Sequence, residues 1–209
     1  MEIKGLYRLQ RKDEETLIQT YLDAFQRYPK LIHAFPEKKA KDAALEATLR
    51  YYVAYDLEYG DAFSLDENVT EGVCLVHSED MHYTRERHEK AGSFSPAYRA
   101  AMDRLTEEEQ KRREDLFEEL DRLEAGITFP RPHLYLDFLG VREAFQHKGR
   151  GRRLMEQVCR YAGEQNLPMM LFTNTPEDVE FYKSLGFQTV AVVKSEEFGF
   201  INTYLVKEV

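Results

Sequence analysis

The chain has 209 residues, of which 43% are hydrophobic and 32% charged, a balance typical of a folded domain and not of a disordered chain. Its net charge of −9 argues against nucleic acid as the main partner. No apolar run is long enough to span a membrane and the N-terminus lacks the apolar core of a secretory signal, so we expect a cytoplasmic protein with no membrane partner.

The first sixty residues predict one strand followed by two helices. Residues 2–10 alternate as a strand does, and a helix is expected to start after Asp13 as its N-cap and to end at Pro29. The second helix is predicted from Pro36 to Tyr59. It carries four tyrosines, for which core packing and the lining of a substrate pocket both stay open: Tyr51, Tyr52, Tyr55 and Tyr59.

A hairpin and a histidine-rich stretch come next. Residues 61–66 and 71–77 predict two short strands, and Cys74 on the second is expected, like Cys159, to be a buried free thiol. Four possible metal ligands follow: His77, Asp80, His82 and His88. Their spacing matches no known zinc pattern, so solvated loop residues are the favoured interpretation and no metal is expected.

Residues from about 85 to 128 predict a helical insertion whose central part, 96–125, is highly charged. Its apolar positions form a narrow stripe: Leu116, Phe117, Leu120 and Leu123. The stripe favours an amphipathic helix that lies over a sheet, and a helix that binds a partner or a second copy of the chain is the alternative.

Residues 134–154 combine a strand, a turn with two glycines and the start of a helix. Gly149 and Gly151 let a ligand approach the backbone closely, and unpaired N–H groups at a helix start bind anions. Five cations and only one anion, Glu143, lie within 142–153: Arg142, Lys148, Arg150, Arg152 and Arg153. This positive segment of an acidic chain predicts a small polyanionic ligand, although Arg152 and Arg153 fit a solvated helix face equally well.

The C-terminal part predicts a helix, a buried strand, a second helix and two strands. The second helix begins with Thr175 as N-cap and ends at Gly186, and the last strands are placed at 187–194 and about 201–207. Together with the earlier elements this order predicts a single mixed α/β domain over residues 1–209.

Three motifs in this half resemble those of the GNAT superfamily of acyl-CoA-dependent N-acyltransferases. Residues 146–151 match its Gln/Arg-x-x-Gly-x-Gly/Ala signature, residues 181–187 match its helix-to-strand junction, and Asn174 matches a third common position. The segment from Ala24 to Pro36, together with the charged helix, resembles a puromycin-acetyltransferase-type branch more loosely.

The resemblance implies a central mixed, mostly antiparallel sheet of about seven strands, flanked by helices, with strands 4 and 5 splayed apart. Acetyl-CoA would lie in that gap as co-substrate, with its pantetheine arm and pyrophosphate held by these residues: Leu139, Gly140, Val141, Gln146, His147, Lys148, Gly149, Arg150, Gly151, Arg152 and Asn174. Tyr182 stands at the family's usual general-acid position, and a phenol of pKa about 10 suits protonation of a thiolate. The family's strand-4 glutamate is replaced by Tyr135, so Asp137, on the same strand face, is the candidate general base and Glu143 a weaker one.

Two functions of different class follow. The first is an acetyltransferase that transfers the acetyl group of acetyl-CoA to a primary amine of a small molecule by direct attack in a ternary complex. The alternative is a non-catalytic acyl-CoA-binding protein with a protein partner. A dinucleotide-binding unit is excluded because no third glycine stands at the required spacing. The identity of the amine is not encoded in any motif, and a homodimer is compatible with the sequence.

Overall fold

The computed structural model describes residues 1–209 and contains one seven-stranded sheet with eight α-helices. The strands are β1 (Tyr7–Arg8), β2 (Asp61–Ser64), β3 (Glu71–His77), β4 (Leu134–Val141), β5 (Met169–Thr173), β6 (Gln188–Ser195) and β7 (Phe200–Lys207). The helices are α1 (Glu14–Ala24), α2 (Pro29–Ala34), α3 (Lys38–Tyr59), α4 (Arg85–Ala91), α5 (Pro96–Met102), α6 (Glu107–Glu124), α7 (Arg150–Glu164) and α8 (Pro176–Lys183).

The strand order across the sheet is β1-β2-β3-β4-β5-β7-β6, and only the central β4–β5 pair is parallel. One hydrophobic cluster lies under α1, α2, α3 and α6, and a second lies under α7 and α8. The prediction of a mixed, mostly antiparallel sheet of about seven strands flanked by helices is therefore confirmed.

The two central strands diverge soon after they start. β4 and β5 pair only at Leu134 with Met169 and at Tyr135 with Met170, whereas β4 stays paired with β3 as far as Val141. The backbone of the second half of β4 thus has a strand on one side and an open gap on the other. This gap is the predicted splay between strands 4 and 5.

A β-bulge interrupts β4 beside this gap. On β3, Cys74 faces Phe138 and the next residue, Leu75, faces Leu136, so Asp137 has no partner of its own. A bulge adds one residue to a strand and changes the direction of the side chains around it. Asp137 is consequently presented to the cleft described below.

Two glycines let α1 lie close against β3 and β4. A Cβ on Gly72 would stand 2.3 Å from Leu17 Cδ1, and one on Gly140 would stand 2.6 Å from Tyr21 Cδ1. Both distances are far below van der Waals contact, so only glycine permits this approach. The glycine of the predicted pantetheine strand therefore has a packing reason of its own.

Two predicted boundaries are wrong in the N-terminal part, whereas α1 (Glu14–Ala24) starts directly after Asp13 as predicted but without the expected cap bond. The first strand has only two residues, because Ile3 and Leu9 are buried outside regular strand pairing. Asp13 makes no N-cap bond to α1, since its carboxylate instead accepts hydrogen bonds from the Gln10 N–H and the Tyr7 hydroxyl. Pro29 starts the short helix α2, which a proline at a first helical position favours.

The insertion forms three helices, α4, α5 and α6. Leu116 and Leu120 of α6 are buried in the first core cluster, and Phe117 and Leu123 pack against it. The apolar stripe thus belongs to the core of the domain, as the favoured interpretation predicts. No helix of the structure is both long and apolar enough to cross a membrane.

Candidate active site

A cleft of about 1180 Å³ opens where β4 and β5 diverge and extends beneath α2, α3 and α6. The predicted donor-binding residues that line it are Leu139, Gly140, Val141, Gln146, His147, Gly149, Arg150, Gly151 and Arg152, and both proposed catalytic residues, Tyr182 and Asp137, line it too. Lys148 and Asn174 are not among its walls. The structure therefore brings residues from β4, the turn before α7, and α8 around one space.

The turn before α7 presents a run of free backbone N–H groups. His147 and Gly149 adopt left-handed conformations, with φ of 57° and 74°. None of the N–H groups from His147 to Arg152 donates to a backbone carbonyl, and the first such bond of the helix runs from the Arg153 N–H to Gly149 O at 2.9 Å. A concave series of N–H groups at a helix start forms an anion site.

Most of the cationic side chains around this turn are engaged elsewhere. Arg150 forms an ion pair with the fully buried Glu71 and another with Asp66 at 2.7 Å. Lys148 Nζ donates to Ala144 O at 2.8 Å, and the Arg152 guanidinium donates to Ser184 Oγ at 2.6 Å. The anion site accordingly depends on the backbone more than on the charge that the sequence places there.

The Asn174 side chain joins two strands. Its Nδ2 donates to Ile201 O at 2.9 Å and to Asn202 Oδ1 at 2.5 Å, both on β7. Its Oδ1 is buried and has no partner. These contacts connect the end of β5 to β7, which is a structural role. The predicted contact of Asn174 with the donor stays a prediction.

Tyr182 lies on α8, which Thr175 caps by accepting a hydrogen bond from the Asp178 N–H at 3.1 Å. Its ring packs edge-on against Phe181 and Phe187, and 6% of the residue is exposed. Burial, with the nearby Asp178 carboxylate, raises the pKa of the phenol well above its usual range. The hydroxyl thus keeps its proton at neutral pH, as a proton donor must.

Asp137 forms a buried carboxyl pair with Asp56 of α3. Burial raises the pKa of Asp137 to about 7, while the Lys30 ammonium and a hydrogen bond from Asp56 act in the opposite direction. Asp56 is fully buried, neither of its oxygens accepts a hydrogen bond from an N–H or hydroxyl group of the chain, and burial beside Asp137 raises its pKa strongly. Asp56 therefore holds its proton while Asp137 exchanges one near neutral pH.

Lys30, the second residue of α2, is a site residue that the sequence did not reveal. Only 8% of it is exposed, and its Nζ lies over three rings, at 5.7 Å from the centroid of Tyr28, 5.9 Å from Phe117 and 5.3 Å from Phe172. Burial lowers its pKa to about 8. A lysine that follows a proline in a short helix carries no signal of burial, and two of its three aromatic neighbours, Phe117 and Phe172, come from distant segments.

Two of the four tyrosines of α3 line the cleft and the other two pack elsewhere. Tyr51 and Tyr52 line the cleft, whereas the Tyr55 hydroxyl donates to Asp80 O at 2.7 Å and its ring is buried. Tyr59 stacks its ring on the Arg87 guanidinium at 3.9 Å and lies outside the cleft.

His88 is not the solvated loop residue that the sequence predicts. It is fully buried, stacks on Tyr51 with ring centroids 3.8 Å apart, and bonds Ser93 Oγ through Nδ1 at 2.9 Å. Burial lowers its pKa to about 4, so the ring is neutral. No group of three or more His, Cys, Asp or Glu side chains is arranged to hold a metal ion.

Sequence and structure comparisons agree on the fold of the protein. Residues 111–187 match the model of the acetyltransferase (GNAT) family. A search among curated proteins found no significant match. With its splayed central strands and the amide turn before α7, the chain has the fold of GNAT acetyltransferases.

Solved structures share this fold along nearly the whole chain. One is a protein from Corynebacterium glutamicum described as histone acetyltransferase HPA2 and related acetyltransferase. It has a TM-score of 0.61 at 13% identity, and the match covers 99% of this chain and 97% of that one. The ribosomal-protein-S18-alanine N-acetyltransferase of Escherichia coli has a TM-score of 0.55 at 12% identity, with 98% and 92% covered. A Drosophila melanogaster polyamine N-acetyltransferase that forms N-acetylagmatine has a TM-score of 0.55 at 16% identity, with 98% and 99% covered. These likenesses establish the fold, and the acceptors named differ among them.

Proposed function

We propose that the protein is an acetyl-CoA-dependent N-acetyltransferase that acts on a primary amine of a small molecule by direct attack in a ternary complex. The observation that carries the proposal is the conjunction, in one cleft, of an open β4 edge, an unpaired N–H turn and the Tyr182 hydroxyl. The family match over 111–187 covers the turn and the tyrosine.

The donor side would hold acetyl-CoA mainly through the backbone. Beyond Tyr135 the β4 backbone has no strand partner on its β5 side, so Leu139, Gly140 and Val141 are placed to pair with the pantetheine amides as an added strand does. The N–H groups from His147 to Arg152 would then surround the pyrophosphate, whereas the Gln146 N–H already donates to Glu143 O at 3.1 Å. Close approach is allowed at Gly149, where a Cβ would meet no atom within 4 Å.

The reaction needs one base and one acid. The neutral amine forms a bond to the thioester carbonyl carbon, and the carbon–sulfur bond breaks as the tetrahedral intermediate collapses. Asp137 accepts the amine proton, directly or through a water, and Tyr182 gives its proton to the departing CoA thiolate. Asp137 suits this role because its pKa lies close to neutral pH.

Two finer assignments accompany this proposal. The puromycin-acetyltransferase-type branch stays a prediction from the N-terminal segment. A cytoplasmic location agrees with two free cysteines, Cys74 and Cys159.

Calorimetric titration with acetyl-CoA tests the donor site. Gly149 has φ of 74°, so Gly149→Ala strains the turn by about 1–2 kcal/mol and is expected to weaken acetyl-CoA binding about tenfold. Gly163→Ala, at an open position of the same helix, is the matched control and should leave the affinity unchanged. Failure of the wild-type protein to bind acetyl-CoA would contradict the proposal.

A further inference from the structure

Lys30, on α2, carries a positive charge to the wall of the cleft. Its ammonium lies among the rings of Tyr28, Phe117 and Phe172, and Phe172 belongs to β5, one side of the splay. The residue is 8% exposed and lines the cleft. Burial of an ammonium is costly unless an anion compensates for the lost water.

No anion of the chain makes direct contact with this ammonium. Its Nζ has no carboxylate oxygen within 4.0 Å and makes no hydrogen bond. The carboxylates that influence it are Asp137 and Glu124, and Arg113 opposes them. Glu124 already accepts a hydrogen bond from the Tyr204 hydroxyl at 2.5 Å, and Asp137 is paired with Asp56.

Lys30 and Asp137 therefore present opposite charges to the same space without touching. Both side chains line the cleft and no ion pair joins them, and each favours the charged form of the other. A ligand that fits between them has an amine on the Asp137 side and an anion on the Lys30 side. One ammonium without a second cation in contact matches a single carboxylate better than a phosphate.

We infer that the acceptor is a zwitterion, an amine with a carboxylate close to it as in an α-amino acid, and that Lys30 binds this carboxylate. The inference rests on the proposed function and names its substrate class. It places the amine at Asp137, where the proton must leave, and the rest of the acceptor along the aromatic wall of Tyr28, Tyr52 and Phe117. It also opposes a polyamine acceptor, whose second ammonium would meet the charge of Lys30.

Matched acceptor pairs test the inference. CoA release is measured with tyrosine and tyramine, phenylalanine and phenethylamine, arginine and agmatine, and lysine and cadaverine. At least one amino acid is expected to have a kcat/KM tenfold or more above that of its decarboxylated partner, the effect of one charge-assisted hydrogen bond. Lys30→Met should reduce this preference to near one by raising the KM of the amino acid, and Lys30→Arg should keep most of it.

The KM of acetyl-CoA should not change in Lys30→Met, and Lys39→Met, at an exposed position of α3, should behave as wild type. Turnover that never favours the carboxylated member, or a Lys30→Met effect equal for both members of a pair, overturns the inference and leaves the acetyltransferase standing. Absence of turnover with every pair counts against both.

Discussion

Tyr182 combines a ring buried against Phe181 and Phe187 with a hydroxyl at the wall of the cleft. Because general acid catalysis contributes about 100-fold or more, Tyr182→Phe is expected to lower kcat by at least that factor while acetyl-CoA affinity stays nearly intact. Tyr161→Phe, on the adjacent helix α7 and outside the cleft, is the control. An unchanged kcat in Tyr182→Phe would remove the tyrosine from the chemistry.

The carboxyl pair predicts how the rate depends on pH. Since Asp137 must be deprotonated to accept a proton and burial raises its pKa to about 7, kcat/KM should rise with pH through about 7. The hydrogen bond from Asp56 acts to lower that pKa, so Asp56→Leu should move the midpoint to higher pH. Asp56→Asn keeps a donor and should move it less. The profile is measured at saturating acetyl-CoA. A midpoint unaffected by Asp56→Leu would show that Asp56 does not influence the pKa of Asp137.

Titration of Lys30 is expected to cause a second change with pH, in the KM of the acceptor. Burial lowers its pKa to about 8, with Glu124 and Asp137 opposing this shift and Arg113 adding to it. The ammonium is present below that value and is lost above it, so the KM of a carboxylated acceptor should increase above pH 8. In Lys30→Arg, whose guanidinium stays charged, the increase should be absent. The same increase of KM in the wild type and in Lys30→Arg would mean that a group other than Lys30 causes it.

The sequence predicted those site residues whose positions a motif fixes. Tyr182 and the turn around Gly149 follow from short motifs tied to α7 and α8. Asp56 and Lys30 have no such motif, because each obtains its role from groups more than fifty residues away in the chain. The sequence around either residue carries no information about which distant groups it will meet in the fold.

Among the elements, the start of α7 is anchored by charge. Arg150 pairs with Glu71 of β3, a fully buried carboxylate, and with Asp66. Arg150→Met would leave Glu71 buried without its partner, which is expected to cost about 3 kcal/mol of the free energy of unfolding. Chemical denaturation measures this, and Lys148→Met, on an exposed side chain of the same turn, should cost far less. Equal effects of the two variants would show that the buried pair contributes little.

The order and type of the elements were predicted well because hydrophobic period and helix caps are local. The cap of α8 by Thr175 and the end of α3 beside Gly60 stand where the sequence placed them. The bulge at Asp137 and the start of α2 at Pro29 were missed. A bulge is a mismatch between two strands, so neither strand encodes it alone.

For the whole molecule, the sheet order and the splay of β4 and β5 open one cleft, which contains both the proposed donor site and the proposed acceptor space. The family resemblance supplied this architecture, and periodicity alone supplied only the succession of elements. The walls of the acceptor space come from α2, α3, α6 and β5, which the sequence keeps far apart. The proposal about the acceptor therefore depends on walls that only folding brings together.

The most direct measurement is steady-state release of CoA from acetyl-CoA in the presence of the amine panel, with the acetylated product identified by mass spectrometry. We expect turnover with at least one primary amine, N-acetyl product in equal amount to the CoA released, and loss of at least 99% of that rate in Tyr182→Phe. Binding of acetyl-CoA without CoA release for any amine would contradict it and would indicate an acyl-CoA-binding protein instead.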